Sequence, residues 1–324
     1  MEKIRIGIVG YGNLGRGIET ALTNSSDLEL FAIFTRRDPA TIATENRVES
    51  FQDIFDYKND LDVLILAGGS QKDIPVQGPE LAAHFNTVDC FDNHASIADY
   101  YIKMNEIALA TKHVSTIAIG WDPGLFSLQR MMAEAILPEG NSYTFWGKGL
   151  SQGHSDAVCR VPGVKMGAQY TIPDQAMIEQ IKSGQDVDYT SVKAHQRLVY
   201  VVAESDADQA EIKEKIVKMP DYFAPYQTEV KFITGTEFKA KHQGMPHGGT
   251  VIRQGSTSPD NKAVYEFNLK LESNPEYTAA ISVAFARATY KLFRAEQYGA
   301  KTIFDIPLGL LSNRDSEDLL HNII

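Results

Sequence analysis

The chain has 324 residues, with 31 Lys+Arg against 42 Asp+Glu and a formal net charge of −11. That balance argues against a general nucleic-acid binder, which needs a basic surface to displace counterions. No apolar stretch approaches the roughly 18 residues that cross a bilayer. The two cysteines, Cys90 and Cys159, are too few for a disulfide framework, and Met1-Glu2-Lys3 leads straight into a strand pattern with no signal peptide. The expectation is a reduced cytoplasmic protein, long enough for two domains.

Residues 4–9 form an apolar run closed by glycine, and a helical pattern follows from Asn13 to about Leu22. Strands are expected at Leu28–Thr35, Leu61–Ala67, Thr87–Phe91 and Val114–Ile119, with helices at Pro79–Phe85 and Tyr100–Ala110 between them. Near-continuous apolar strands alternating with helices mark a parallel sheet covered on both faces, the doubly wound α/β architecture of the Rossmann type.

The texture changes after Gly120. Ser191–Glu204 and Ala263–Glu272 alternate, the second placing Val264, Glu266, Asn268 and Lys270 on one face and Tyr265, Phe267, Leu269 and Leu271 on the other. One wet face and one buried face suit an antiparallel sheet, so an α+β domain with a mostly antiparallel sheet is expected. Helices are expected at Asp174–Lys182, Asp206–Lys218 and Pro275 to about Tyr298, with Gly299 as the stop. Thr302–Ile324 is too short for a domain and should pack back on one.

Gly10-Tyr11-Gly12-Asn13-Leu14-Gly15 is a G-x-G-x-x-G between a strand and a helix. Gly10 serves the tight turn, Gly12 the close approach of a pyrophosphate, and Gly15 the helix–strand packing. The helix N-terminus offers N–H groups and a positive dipole end to the phosphates. An NAD enzyme places an acid at the end of the second strand; here stand Thr35-Arg36-Arg37, which suit a 2′-phosphate and point to NADP. The competing reading makes both arginines solvated loop charges and gives the ribose to Asp38.

Asp92-Asn93-His94 and Gly120-Trp121-Asp122-Pro123-Gly124 follow two of the expected strands, and ligands of such sheets sit outside the carboxyl ends of strands. Asp92 and Asp122 would suit a cationic substrate group and assist proton transfer. The alternative for Asp122-Pro123 is a helix cap with proline in the first turn. The glycine-rich segments 146–156 and 244–249 read as binding loops. The eight histidines show no metal spacing, so no metal is expected.

Taken together, these stretches resemble the meso-diaminopimelate dehydrogenase family. The resemblance also runs through Phe145-Trp146-Gly147, Leu150-Ser151-Gln152-Gly153-His154-Ser155-Asp156, Gln169-Tyr170-Thr171, Met219-Pro220-Asp221-Tyr222-Phe223, Gly244-Met245-Pro246-His247-Gly248-Gly249 and Asn274-Pro275. It implies NADP-dependent, reversible oxidative deamination of the D-centre of meso-2,6-diaminopimelate to L-2-amino-6-oxopimelate, ammonia and NADPH, in lysine biosynthesis. It also implies a homodimer, with a dinucleotide-binding domain from residues 1–122 and 276–324 and a substrate and dimerisation domain from 123–275.

By position, the resemblance implies that Asp92 and Asp122 hold the reacting ammonium group between Trp121 and Trp146. Gln152, Gly153 and Asp156 belong to a loop closing over the D-centre, and Thr171, Arg197, His247 and Asn274 meet the distal L-centre. The cofactor falls to Tyr11–Leu14, Thr35–Arg37, Gly68, Gly69 and Ser70, Cys90, Phe91 and Asp92, and Gly120–Pro123. Asp92, Asp122 and His154 are the candidates for moving protons. A broader NADP-dependent D-amino acid dehydrogenase and a non-catalytic NADP-binding sensor are the competing readings.

Overall fold

The computed structural model describes residues 3–220 and 222–324; Met1, Glu2 and Asp221 of the Met-Pro-Asp-Tyr-Phe stretch lie outside the described residues. Two compact units emerge, Met1–Leu128 with Pro275–Ile324, and Gln129–Asn274.

The first unit runs β1 (Ile4–Val9), α1 (Asn13–Thr23), β2 (Leu28–Thr35), β3 (Val48–Ser50), β4 (Val63–Leu66), α2 (Ile74–Ala82), β5 (Thr87–Asp89), α3 (Ile97–Thr111) and β6 (Val114–Thr116). α4 (Leu125–Ile136) carries the chain out of this unit. The second unit holds β7 (Gly140–Trp146), β8 (Gly149–Leu150), α5 (Gln152–Cys159), β9 (Val164–Pro173), α6 (Gln175–Lys182), β10 (His195–Ala203) and α7 (Gln209–Val217). It continues with β11 (Thr228–Phe232), α8 (Gly235–Lys241), β12 (His247–Ser258) and β13 (Asn261–Leu271). The chain then returns to the first unit through α9 (Asn274–Arg294), β14 (Gly299–Lys301) and α10 (Ser316–Asn322).

The first unit is a seven-stranded sheet in the order β14-β6-β5-β4-β1-β2-β3, parallel in every pair. Ile6, Ile8, Ile33 and Ile65 are fully buried, each worth roughly 1.5–3 kcal/mol against exposure. The order reverses at β1, flanked by β4 and β2, and such a switch point opens a crevice at the strand ends. The C-terminal segment belongs here for specific reasons. Buried Arg287 on α9 donates to both oxygens of Asp27, at 2.5 and 2.7 Å, and to the Leu311 carbonyl at 2.8 Å. A Cβ added at Gly17 on α1 would lie 2.9 Å from that of Ala279, so the two helices meet at a glycine.

The second unit has a four-stranded sheet, β11-β10-β9-β8, and a three-stranded one, β13-β12-β7. All pairs are antiparallel except β10–β11. β13 alternates as its sequence predicts: Val264, Glu266, Asn268 and Lys270 are exposed, while Tyr265, Phe267 and Leu269 are half-buried rather than fully covered.

Several expected boundaries move. β5 and β6 stop at Asp89 and Thr116, short of Phe91 and Ile119, because the chain leaves the sheet and Ala118 adopts a left-handed φ of 56°. α2 starts at Ile74 instead of Pro79: Pro75 sets the first turn, and Pro79 lies inside the helix. β3, β7, β8, β9, β11, β12 and β14 are not among the strands read from the sequence.

Candidate active site

Along the carboxyl edge of the parallel sheet, the ends of β6, β5, β4, β1 and β2 are neighbours. They carry, in that order, Gly120–Pro123, Cys90–Asp92, Gly68–Ser70, Gly10–Gly15 and Thr35–Arg37. Every segment assigned to the cofactor therefore falls on one continuous edge.

The Gly10–Gly15 turn fits a pyrophosphate. Gly10 takes a φ of 94°. A Cβ at Gly15 would lie 2.4 Å from the Gly10 carbonyl oxygen, whereas a Cβ at Gly12 would meet nothing within 4 Å, leaving room for a phosphate. No side chain caps α1 at Gly12, so its N-terminus is presented to an anion. Tyr11 turns inward, its hydroxyl donating to Glu19.

Both arginines at the end of β2 have protein partners. Arg37 Nη2 donates to the Tyr11 carbonyl at 2.6 Å, and Arg36 Nη2 pairs with Asp73 Oδ1 at 2.8 Å. Arg36 is 61% exposed; such a pair is worth only about 0–1 kcal/mol, which a dianionic phosphate overcomes. Asp38 is occupied: its carboxylate accepts the Ala40 N–H at 3.0 Å and caps the turn at Pro39–Thr41. That weighs against a ribose role for Asp38.

On the next strand ends, the Gly69 N–H donates to Asp73 Oδ2 at 2.8 Å, and the Asp92 N–H to Ser70 Oγ at 2.8 Å. Asp92 is exposed and Asp122 half-buried. Phe91 is buried against Tyr100, at 4.5 Å between ring centroids, and Trp121 packs edge-on to Phe126 at 5.2 Å. Cys90 Sγ lies 3.2 Å from Ser282 Oγ, and burial pushes its thiol up to about 12. The capping alternative for Asp122 does not match the chain, since α4 begins at Leu125, past both Pro123 and Gly124.

The second unit gathers the residues assigned to the distal end. Thr171 on β9 and Arg197 on β10 are paired across the strands, and Arg197 Nη1 donates to Thr171 Oγ1 at 2.5 Å. Gly149 pairs with Thr171 on the other side, and a Cβ there would lie 2.4 Å from the His247 ring. His247 thus sits one glycine away from the pair. Asn274 bonds the Met245 carbonyl through its N–H at 2.9 Å.

Arg197 is 9% exposed, its Nε has no hydrogen-bond partner, and no described carboxylate pairs with it. Burial lowers its pKa, and the Tyr226 ring lies 3.9 Å below its Cζ. A buried guanidinium held without its anion is arranged to receive one. Thr171 Oγ1 also faces Gln169 Nε2 at 3.4 Å. Because it already accepts from Arg197, its own hydrogen is free to donate.

The segment 152–156 is a correction: Gln152, Gly153, His154 and Asp156 lie on helix α5, not in a loop. Ser155 Oγ donates back to the Ser151 carbonyl at 2.6 Å and accepts the Gln169 N–H at 3.0 Å, which docks the helix on β9. Gln152, Gly153 and Asp156 are exposed on it. His154 turns inward, edge-on to Tyr222 and Phe223, with Nδ1 2.8 Å from Ser151 Oγ. Burial, with the Arg197 charge, pulls its pKa down to about 4, so it is neutral at pH 7.

The Trp146 ring lies tilted against His195 at 5.3 Å between centroids; His195 Nε2 accepts the Trp146 backbone N–H at 2.9 Å while Nδ1 faces the Ser191 carbonyl at 2.8 Å. With an acceptor facing Nδ1 and a donor facing Nε2, the His195 tautomer is the one protonated at Nδ1. Sequence reading missed His195, Tyr226, Asp73 and Gln169; only the proximity of Gln169 and His195 to assigned strand residues hinted at them. Among the described residues, no three His, Cys, Asp or Glu are grouped for a metal, and no helix is long and apolar enough to cross a membrane.

The profile of the diaminopimelic acid dehydrogenase C-terminal domain matches residues 120–273. The chain is 51% identical to the meso-diaminopimelate D-dehydrogenase of Ureibacillus thermosphaericus, over all of both chains. Among solved structures, the C. glutamicum DAP dehydrogenase in complex with DAP is 42% identical, covers 100% of both chains and superposes with a TM-score of 0.93. An engineered D-amino acid dehydrogenase bound to NADP+ is 41% identical, covering 99% of this chain and 100% of that one, with a TM-score of 0.88.

Proposed function

The chain belongs to the meso-diaminopimelate D-dehydrogenase family, and on that premise we propose that it catalyses the reversible, NADP-dependent oxidative deamination of the D-centre of meso-2,6-diaminopimelate. The products are L-2-amino-6-oxopimelate, ammonia and NADPH, and the reaction belongs to lysine biosynthesis. NADP+ supplies the hydride acceptor; loss of hydride from the D-centre carbon leaves an imine, which water converts to the oxo group and ammonia.

The chain's own residues bind, orient and move protons. Gly10–Gly15 receives the pyrophosphate, Thr35, Arg36 and Arg37 the 2′-phosphate end, and Gly68–Ser70, Cys90–Asp92 and Gly120–Pro123 the remainder. Asp92 and Asp122 hold the reacting ammonium and accept its protons, directly or through water, with Trp121 and Trp146 as walls and Gln152, Gly153 and Asp156 beside the D-centre. His154, neutral at pH 7, relays a proton only as a neutral donor and acceptor. Thr171, Arg197, His247 and Asn274 take the L-centre.

The observation that carries this reading is Arg197, a buried guanidinium with an unpaired Nε beside a hydroxyl free to donate. A monocarboxylic D-amino acid has nothing to offer it, which favours the two-ended substrate over the broader dehydrogenase reading. A non-catalytic sensor has no use for the paired acids at the ends of β5 and β6. The same proposal makes the first unit the dinucleotide-binding domain and the second the substrate and dimerisation domain of a cytoplasmic homodimer that binds no nucleic acid. NADPH formation followed by absorbance tests the function: meso-diaminopimelate should react and the LL isomer should not, and comparable turnover of both would refute it.

A further inference from the structure

Asp89 closes β5 with its carboxyl group fully buried. Its Oδ1 accepts two backbone N–H groups, from Phe91 at 3.0 Å and from Ala118 at 3.1 Å, and its Oδ2 accepts the Tyr100 hydroxyl at 2.8 Å. Its backbone oxygen takes the N–H of Ile119 at 2.9 Å. Phe91 immediately precedes Asp92. Ala118, in the left-handed region, opens the turn that leads through Gly120 to Asp122. One oxygen atom therefore spans the two segments that carry the paired acids.

We propose that Asp89 is a positioning residue for the oxidative deamination, fixing Asp92 and Asp122 relative to each other without touching the substrate. This rests on the roles given to those two residues above. The physical need is clear: two like charges on separate strand ends drift apart unless something holds them, and misplacing a reacting group by about 1 Å costs on the order of 100-fold in rate. A carboxylate suits the task because a charged acceptor bonds N–H groups roughly twice as strongly as a neutral one.

Burial pushes the Asp89 carboxyl up to about 6 against the pull of its three hydrogen-bond donors, so the charged acceptor is present at neutral pH and above. The titratable groups facing it are Tyr100 from α3, whose phenol burial and Asp89 raise far above its ordinary value, and Cys90, the residue that follows it. Asp92 lies beyond Cys90.

Asp89→Ala removes the clamp, whereas Asp89→Asn keeps an acceptor oxygen and loses the charge. In a folded Asp89→Ala protein, amide hydrogen exchange across residues 90–92 and 117–122 should quicken at least ~10-fold and kcat should fall about 100-fold. Asp89→Asn should show little added exchange and lose roughly 3–10-fold in kcat. A folded Asp89→Ala protein with wild-type exchange or wild-type kcat overturns the proposal. Should that variant fail to fold, Tyr100→Phe decides: losing one donor raises the Asp89 pKa, so the roughly 3–10-fold step in kcat that protonating Asp89 brings must move to higher pH relative to wild type, and an unmoved step overturns the proposal. Asp122→Asn separates the two claims. Wild-type turnover there removes the parent assignment, whereas an inactive Asp122→Asn beside an active Asp89→Ala removes the positioning role alone.

Discussion

Replacing Arg197 with methionine separates a binding residue from a structural one, because the two roles predict opposite effects on stability. The guanidinium is 9% exposed and has no described carboxylate partner; it donates to Thr171 and lies over the Tyr226 ring. Removing a buried, uncompensated charge for an apolar chain of similar length should leave the ligand-free protein as stable or about 1–2 kcal/mol more stable. Removing the receptor for a desolvated carboxylate should cost meso-diaminopimelate about 2–5 kcal/mol of transition-state binding, roughly 30- to 4,000-fold in kcat/KM. A monocarboxylic apolar D-amino acid never used that contact and should lose little. The assays are steady-state kcat/KM for both substrates and thermal unfolding without ligand. A Tm lowered by several degrees with an equal fall for both substrates would show that Arg197 holds the sheet rather than the substrate.

Three further outcomes follow from the same geometry. Arg36→Ala with Arg37→Ala should raise the KM for NADP far more than that for NAD; an equal rise would place the 2′-phosphate elsewhere, and Arg37→Ala alone should affect both through its bond to the Tyr11 carbonyl. Asp122→Asn should depress kcat at least ~100-fold, because it keeps the side chain's size and removes the charge assigned to the ammonium group; near-normal kcat would return it to a structural role. His154 has a folded pKa of about 4, below its unfolded 6.5, so the unfolded state binds its proton first and stability is lost as pH falls from about 6.5 to 4. That loss is at most ~3 kcal/mol, and buried Asp89, raised to about 6, opposes it over the same range. His154→Gln should therefore flatten the acid side of the urea-unfolding curve measured against pH, and an unchanged pH slope would contradict the burial argument.

The parts of the fold written in local pattern were legible. The apolar run at 4–9 and its three glycines placed β1, the turn and α1, and the period-two alternation of 263–272 placed β13 and its wet face. Boundaries failed where two signals of one kind compete: Pro75 and Pro79 both satisfy the rule for a helix start, and the earlier one wins. The segment 152–156 looked like a loop because glycine and small polar residues are poor helix formers in isolation. Its helix is held by bonds from Ser155 to Ser151 and Gln169, the second a tertiary contact that local propensity does not register. Asp89 was invisible for the same reason, since its partners Tyr100 and Ala118 lie far along the chain. Resemblance placed Arg197 at the distal centre; its burial without a described counter-ion needed coordinates.

Hydride transfer from one defined carbon is the central claim, and an isotope reports it directly. The enzyme is given NADP+ and meso-diaminopimelate carrying deuterium at the D-centre alone or at the L-centre alone, and the NADPH formed is weighed by mass spectrometry. The D-centre label should appear in NADPH and the L-centre label should stay in the amino-oxopimelate product. Deuterium in NADPH from the L-centre substrate, or none from the D-centre substrate, would contradict the account.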